Sequence, residues 1–129
     1  MGMEHVVTFT PVAAAWWTGV RGLLAERGFP VQLRMIDGEL AFPDELPPEA
    51  WNELRVGTAQ GMVTLRRQQD RVLIVTWGNA DQPMRQAWNA LAWAVAEVTA
   101  GRVQSGEAKL TAAEFHQNAD LPPAVQQCQ

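Results

Sequence analysis

Val31-Gln-Leu-Arg-Met-Ile-Asp-Gly-Glu-Leu-Ala-Phe42 sets Asp37-Gly38 between two apolar runs. Asp-Gly in that setting marks a two-residue hairpin turn, because both central positions of the favoured turn need positive φ. The turn fixes a register with Met35 opposite Leu40 and Leu33 opposite Phe42. Opposed residues of an antiparallel pair share a face, so all four are expected on one apolar face.

On the amino-terminal side, His5 to Phe9 is β-branched and aromatic and reads as a strand. Thr10-Pro11 then offers a cap and a first helical residue. The helix runs to about Arg27, with Val12, Trp16, Val20, Leu23 and Leu24 clustered on one side. Gly28 suits the left-handed residue that ends a helix, Phe29 can pack back on Leu24, and Pro30 prevents continuation.

On the carboxyl-terminal side, Pro43 to Pro48 is an acidic, proline-rich connection. A short helix from about Pro48 to Leu54 is expected to carry Trp51, with a brief strand over Leu54 to Val56. Met62 to Arg67 and Arg71 to Trp77 form a second hairpin. A three-residue loop, Gln68-Gln69-Asp70, pairs Val63 with Val75 and Leu65 with Leu73. Arg71 to Trp77 is apolar on both faces, as a central strand would be. Asp81 caps a final helix whose stripe is Met84, Trp88, Leu91, Val95 and Val98, and Gly101 closes it. Thr111 to Glu114 has capping-box spacing and predicts a short helix over 112–118, with fraying after 120.

The expected fold is therefore α+β, in the order β-α-β-β-(short α)-β-β-α plus a polar tail. An antiparallel sheet of about four to five strands carries both long helices on one face. Residues 1–103 form the domain and 104–129 a polar extension. A length of 129 residues with 47% apolar and 19% charged residues suits one domain with one core.

Composition narrows function. The one cysteine, Cys128, cannot form an internal disulfide. No basic stretch followed by an apolar run opens the chain, and no apolar segment is long enough to span a bilayer. A cytoplasmic location is the expectation. A net charge of −4 disfavours nucleic acid and anionic lipid.

Chemistry-bearing residues are scattered. His5 and His116 lie on different elements, read as a strand-edge surface residue and a tail residue, without metal-ligand spacing. Glu45, Glu49 and Glu53, beside Asp44, would align on one face of a helix, which a solvated surface explains. Gly78-Asn79-Ala80-Asp81 opens a helix but lacks a glycine-rich phosphate fingerprint. No cofactor and no metal site is expected. Arg34, Arg55, Arg66, Arg67 and Arg71 lie in or near the hairpins and would form a binding surface if they project from an open sheet face.

Six tryptophans and no tyrosine remain. Trp16 and Trp88 sit on the helix stripes, whereas Trp93, five residues after Trp88, points almost opposite. Its face includes Arg85 and Asn89, and Trp17 is displaced to the margin of its own stripe. Either a partner chain or the 102–118 segment is expected to cover Trp93. The leading expectation is a non-enzymatic protein–protein interaction module acting as a homodimer through Trp93, Asn89, Arg85 and Trp17. The second is binding of nucleic acid or an acidic partner through the arginine-bearing hairpins. The third is a small-ligand or enzymatic site assembled from the 44–53 segment and the Asn79 turn.

Overall fold

Asp37 and Gly38 both adopt positive φ, 50° and 85°, as the hairpin turn requires. β2 (Gln32–Ile36) and β3 (Glu39–Leu40) pair as expected around it, Met35 opposite Leu40 and Ile36 opposite Glu39. The computed structural model describes residues 2–8, 16–42, 44–48, 50–68 and 71–126, with the backbone alone at 2, 3 and 77. Thr10, Pro11 and Val12 of the expected helix start lie outside the described residues, as do Phe9, Glu49, Gln69, Asp70 and Cys128.

The apolar face of this hairpin is not the one expected. Leu33 is fully buried, but Leu40 and Phe42 are exposed. The cause is a register shift between Leu33 and Met35 in the pairing of β2 with β4 (Glu53–Thr58). Leu33 faces Val56, yet Met35 faces Arg55, so one extra residue at Arg34 turns Met35 and Leu40 to the opposite side. The Leu33–Phe42 pair does not form, and the last bond between the strands is Ala41 N–H to the Arg34 carbonyl, 2.9 Å.

The sheet has eight strands rather than four or five, all antiparallel, in the order β3-β2-β4-β5-β6-β1-β7-β8. The remaining members are β1 (Gly2–Thr8), β5 (Gly61–Gln68), β6 (Arg71–Trp77), β7 (Arg102–Ser105) and β8 (Ala108–Thr111). The described residues of 48–54 form no helix, and Glu53 and Leu54 open β4 instead. The Asp37 carboxylate accepts the backbone N–H groups of Asn52 and Glu53, both at 2.8 Å, and draws them into line with β4. The second hairpin is also one residue out from expectation. Leu65 pairs with Ile74 and Gln68 with Arg71, leaving two residues to connect the strands. That register sets Leu65 and Ile74, both fully buried, side by side on one face. β6 is central, between β5 and β1.

α1 (Trp16–Glu26) ends as its sequence predicts. Gly28 is left-handed at φ 76°, and Phe29 N–H reaches the Leu24 carbonyl at 2.8 Å. α2 (Gln82–Thr99) is capped by Asp81, whose carboxylate accepts Met84 N–H at 3.0 Å. At its far end Ala100, not Gly101, takes the left-handed conformation, φ 55°. α2 lies across β1, β5, β6 and β7, and α1 packs beside it. The helices approach closely at Gly19, where an added Cβ would sit 2.9 Å from Val98 Cγ1. Every residue of α2 from Ala87 to Ala96 is buried. Val7, Leu33, Val56, Leu65, Ile74 and Val103, one from each of six strands, line the covered sheet face and are fully buried.

Residues 104–126, read as a polar extension, belong to the fold. β7 and β8 add to the free side of β1, and α3 (Ala112–Asn118) packs on α2, β7 and β8. The Thr111/Glu114 capping box forms as expected. Leu121, and Val125 of α4 (Pro123–Gln126), are buried. Val103 is the one fully buried residue in β7 and β8, so this hairpin has little apolar pattern to read.

Candidate interaction surfaces

His5 is buried, contrary to the strand-edge surface reading: β7 pairs alongside β1, and the ring lies under Trp88 and Asn89 of α2 and Phe115 of α3. Its Nε2 lies 2.7 Å from Asn89 Oδ1, while Asn89 Nδ2 donates to the Asp120 carbonyl at 2.8 Å. The second bond orients the amide, so the Asn89 oxygen faces the ring and His5 Nε2 carries the proton. Nδ1 is buried without a hydrogen-bond partner. The ring stacks on Trp88 at 3.7 Å and meets the edge of Phe115 at 5.1 Å. Burial pushes its pKa down from 6.5 to about 4, outweighing the opposing effect of the Asn89 bond. A neutral imidazole shut in this way joins β1, α2 and the chain after α3.

The four residues expected to form an interface do not share a surface. Trp93 is 3% exposed, covered by the His116 ring at 5.0 Å and by the Arg27 guanidinium at 5.2 Å. His116 itself is held by the Val125 carbonyl at 3.0 Å. Asn89 is occupied with His5 and Asp120, and Trp17 is fully buried. Arg85 alone is exposed, and it donates to the Ala80 carbonyl at 2.7 Å. Trp16, expected in the core, is instead half-buried and stacks on Trp51 at 5.5 Å, because α1 turns Trp17, Val20 and Leu24 inward.

Among the described residues the acids of the 44–53 segment do not converge either. Glu53 lies in β4 and pairs with Arg66 at 3.2 Å and Arg55 at 3.7 Å. At the helix start after the Asn79 turn, the Asp81 carboxylate accepts Met84 N–H. Among the described residues no group of three or more His, Cys, Asp or Glu could hold a metal, and no helix is long and apolar enough to cross a membrane.

Two surfaces stand out instead. The first is at the β3 edge. Leu40 is 86% exposed, Phe42 76% and Leu46 51%, three of the four exposed large apolar residues among those described. Isolated exposed leucines are ordinary, but three exposed apolar residues within seven positions are not isolated along the chain. Phe42 is tied to Glu45, whose carboxylate accepts Phe42 N–H at 3.1 Å and whose N–H donates to the Phe42 carbonyl at 3.0 Å. Beside it lies a groove of about 440 Å³ lined by Ile36, Asp37, Glu39, Leu40, Glu45 and Pro48.

The second surface is the sheet face opposite the helices. Cross-strand register puts Arg55, Arg66, Arg71, Arg102 and Lys109 on it. Arg34 joins them, since its side chain lies over Gly57 on that face. Val6, Leu73 and Val75 are half-buried among these cations, and Glu4 and Glu53 are the carboxylates of the same strand positions. Of the arginines singled out from the sequence only Arg67 points the other way, its guanidinium 5.9 Å from the Trp51 ring. No signal in the sequence marks the β3 edge patch, because the residue that turns it outward, Arg34, interrupts no pattern.

Comparison with protein families, with curated proteins and with solved structures finds no match.

Proposed function

We propose that this chain is a non-enzymatic protein–protein interaction module that binds through the β3 edge. The observation that carries the reading is the grouping of Leu40, Phe42 and Leu46, exposed and held in place by the Glu45 turn. Burying a leucine or phenylalanine yields about 1.5–3 kcal/mol. A partner covering all three therefore has a central anchor of the kind that dominates interfaces. Self-association through this edge brings Glu39, Asp44 and Glu45 against their own copies, so a different protein is the favoured partner. The test compares wild type with a Leu40→Ser/Phe42→Ser/Leu46→Ser variant, by light scattering and by affinity capture with mass spectrometry from the cell that makes the protein. Both chains are expected to share one circular-dichroism spectrum, with bound protein lost from the variant. Identical masses together with identical capture profiles remove the reading.

A second reading rests on the cation-rich sheet face. Six cations beside two carboxylates, in a chain of net charge −4, favour an acidic macromolecule there. A net charge of −4 disfavours nucleic acid, so an acidic protein segment is the favoured partner for that face. Salt-sensitive binding of an acidic polypeptide, lost in Arg66→Glu/Arg71→Glu and kept in the patch variant, is the expected result.

A further inference from the structure

We infer that the groove beside β3 receives a lysine or arginine side chain from an extended segment of a partner protein, while apolar neighbours in that segment cover Leu40, Phe42 and Leu46. The inference rests on the interaction reading above and names what the partner must present. The groove has two kinds of wall. Ile36, Leu40 and Pro48 are aliphatic, whereas Asp37, Glu39 and Glu45 are carboxylates, and no cation lines it. A long basic side chain matches that division, with an apolar stem to lie on the aliphatic wall and a charged head to meet the acids. At about 440 Å³ the groove is of the size of small-ligand sites, larger than one long side chain.

The three acids are not equivalent. Asp37 is committed to the chain itself, taking the N–H groups of Asn52 and Glu53, both at 2.8 Å. Glu45 gives one oxygen to Phe42 N–H at 3.1 Å. Glu39 lies on the edge strand itself, directly after the turn. Glu39 and Glu45 are therefore the groups assigned to the incoming cation. A second copy of this chain would bring the same acids and is disfavoured by charge. A small organic cation in the groove would leave Phe42 and Leu46 bare.

The experiment selects peptides from a random display library on the immobilised full-length chain, then measures their binding by fluorescence anisotropy. Selected peptides are expected to carry Lys or Arg beside Leu, Ile, Phe or Trp, and to lose affinity with rising salt. Replacing the basic residue by Gln, or using Glu39→Gln/Glu45→Gln protein, is expected to weaken binding at least about threefold, the scale of a partly exposed ion pair. Glu45→Gln keeps an oxygen for Phe42 N–H, so the loop should hold. Peptides that require Leu40 and Phe42, yet carry no basic residue or ignore the Glu39/Glu45 change, overturn the inference and leave the interaction reading intact. No selected peptides, or peptides that bind Leu40→Ser/Phe42→Ser protein equally, remove both.

Discussion

A histidine with one ring nitrogen bonded and the other bare makes folding sensitive to acid. His5 donates through Nε2 to Asn89, and a proton on Nδ1 would be a buried charge without an acceptor. Its folded pKa, about 4, lies below the ordinary 6.5, so the unfolded chain takes up the proton first. Stability from this group is complete above pH 6.5 and drains away as pH falls toward 4, by roughly 3 kcal/mol in all. Asp120 and Glu114 add to acid sensitivity at lower pH. The Gln86 and Gln82 side chains hold the first below its usual range, and Thr111 holds the second. His5→Gln keeps a donor for Asn89 but cannot titrate. Urea midpoints between pH 6.5 and 4 are expected to fall less steeply in that variant than in wild type, and parallel curves would refute the His5 assignment. None of this was legible locally, since His5 reads as an edge residue until the β7–β8 hairpin is known to flank it.

Turns and caps were the legible elements. Asp37-Gly38, Gly28, Asp81 and the Thr111/Glu114 box each act within a few residues of themselves, and each formed as its chemistry dictates. Faces and registers were less legible, because one inserted residue reverses them. The bulge at Arg34 sent Leu40 and Phe42 outward, and one residue of loop length moved Leu65 from Leu73 to Ile74. The end of α2 offers a test at this scale. Ala100 holds φ 55°, a conformation that costs an L-residue about 1–2 kcal/mol. Glycine escapes that cost but has more freedom to lose on folding. Ala100→Gly is therefore expected to stabilise the chain by about 0.5–1 kcal/mol in chemical denaturation.

At the scale of the whole molecule, α+β class and antiparallel pairing followed from the order of elements. The extent of the sheet did not, because β7 and β8 bury so little apolar surface. A chain ending at Gly101 would lack β7, β8, α3 and α4, leaving His5 and Trp93 uncovered. Such a chain is expected to unfold without a cooperative transition and with red-shifted tryptophan emission. A sharp transition near the full-length midpoint would restore residues 1–103 as a self-sufficient domain. The placement of β1 has a further consequence, for the timing of folding. Thr8 pairs with Arg71 on one side and Arg102 on the other. During synthesis β2 to β5 can pair with near neighbours as they emerge, whereas β1 waits for strands from the far half of the chain. Long loops must close before those contacts form, and such closure is slow. Until β7 has left the ribosome one side of β1 stays open, and its backbone N–H and C=O groups there are left to pair with other chains.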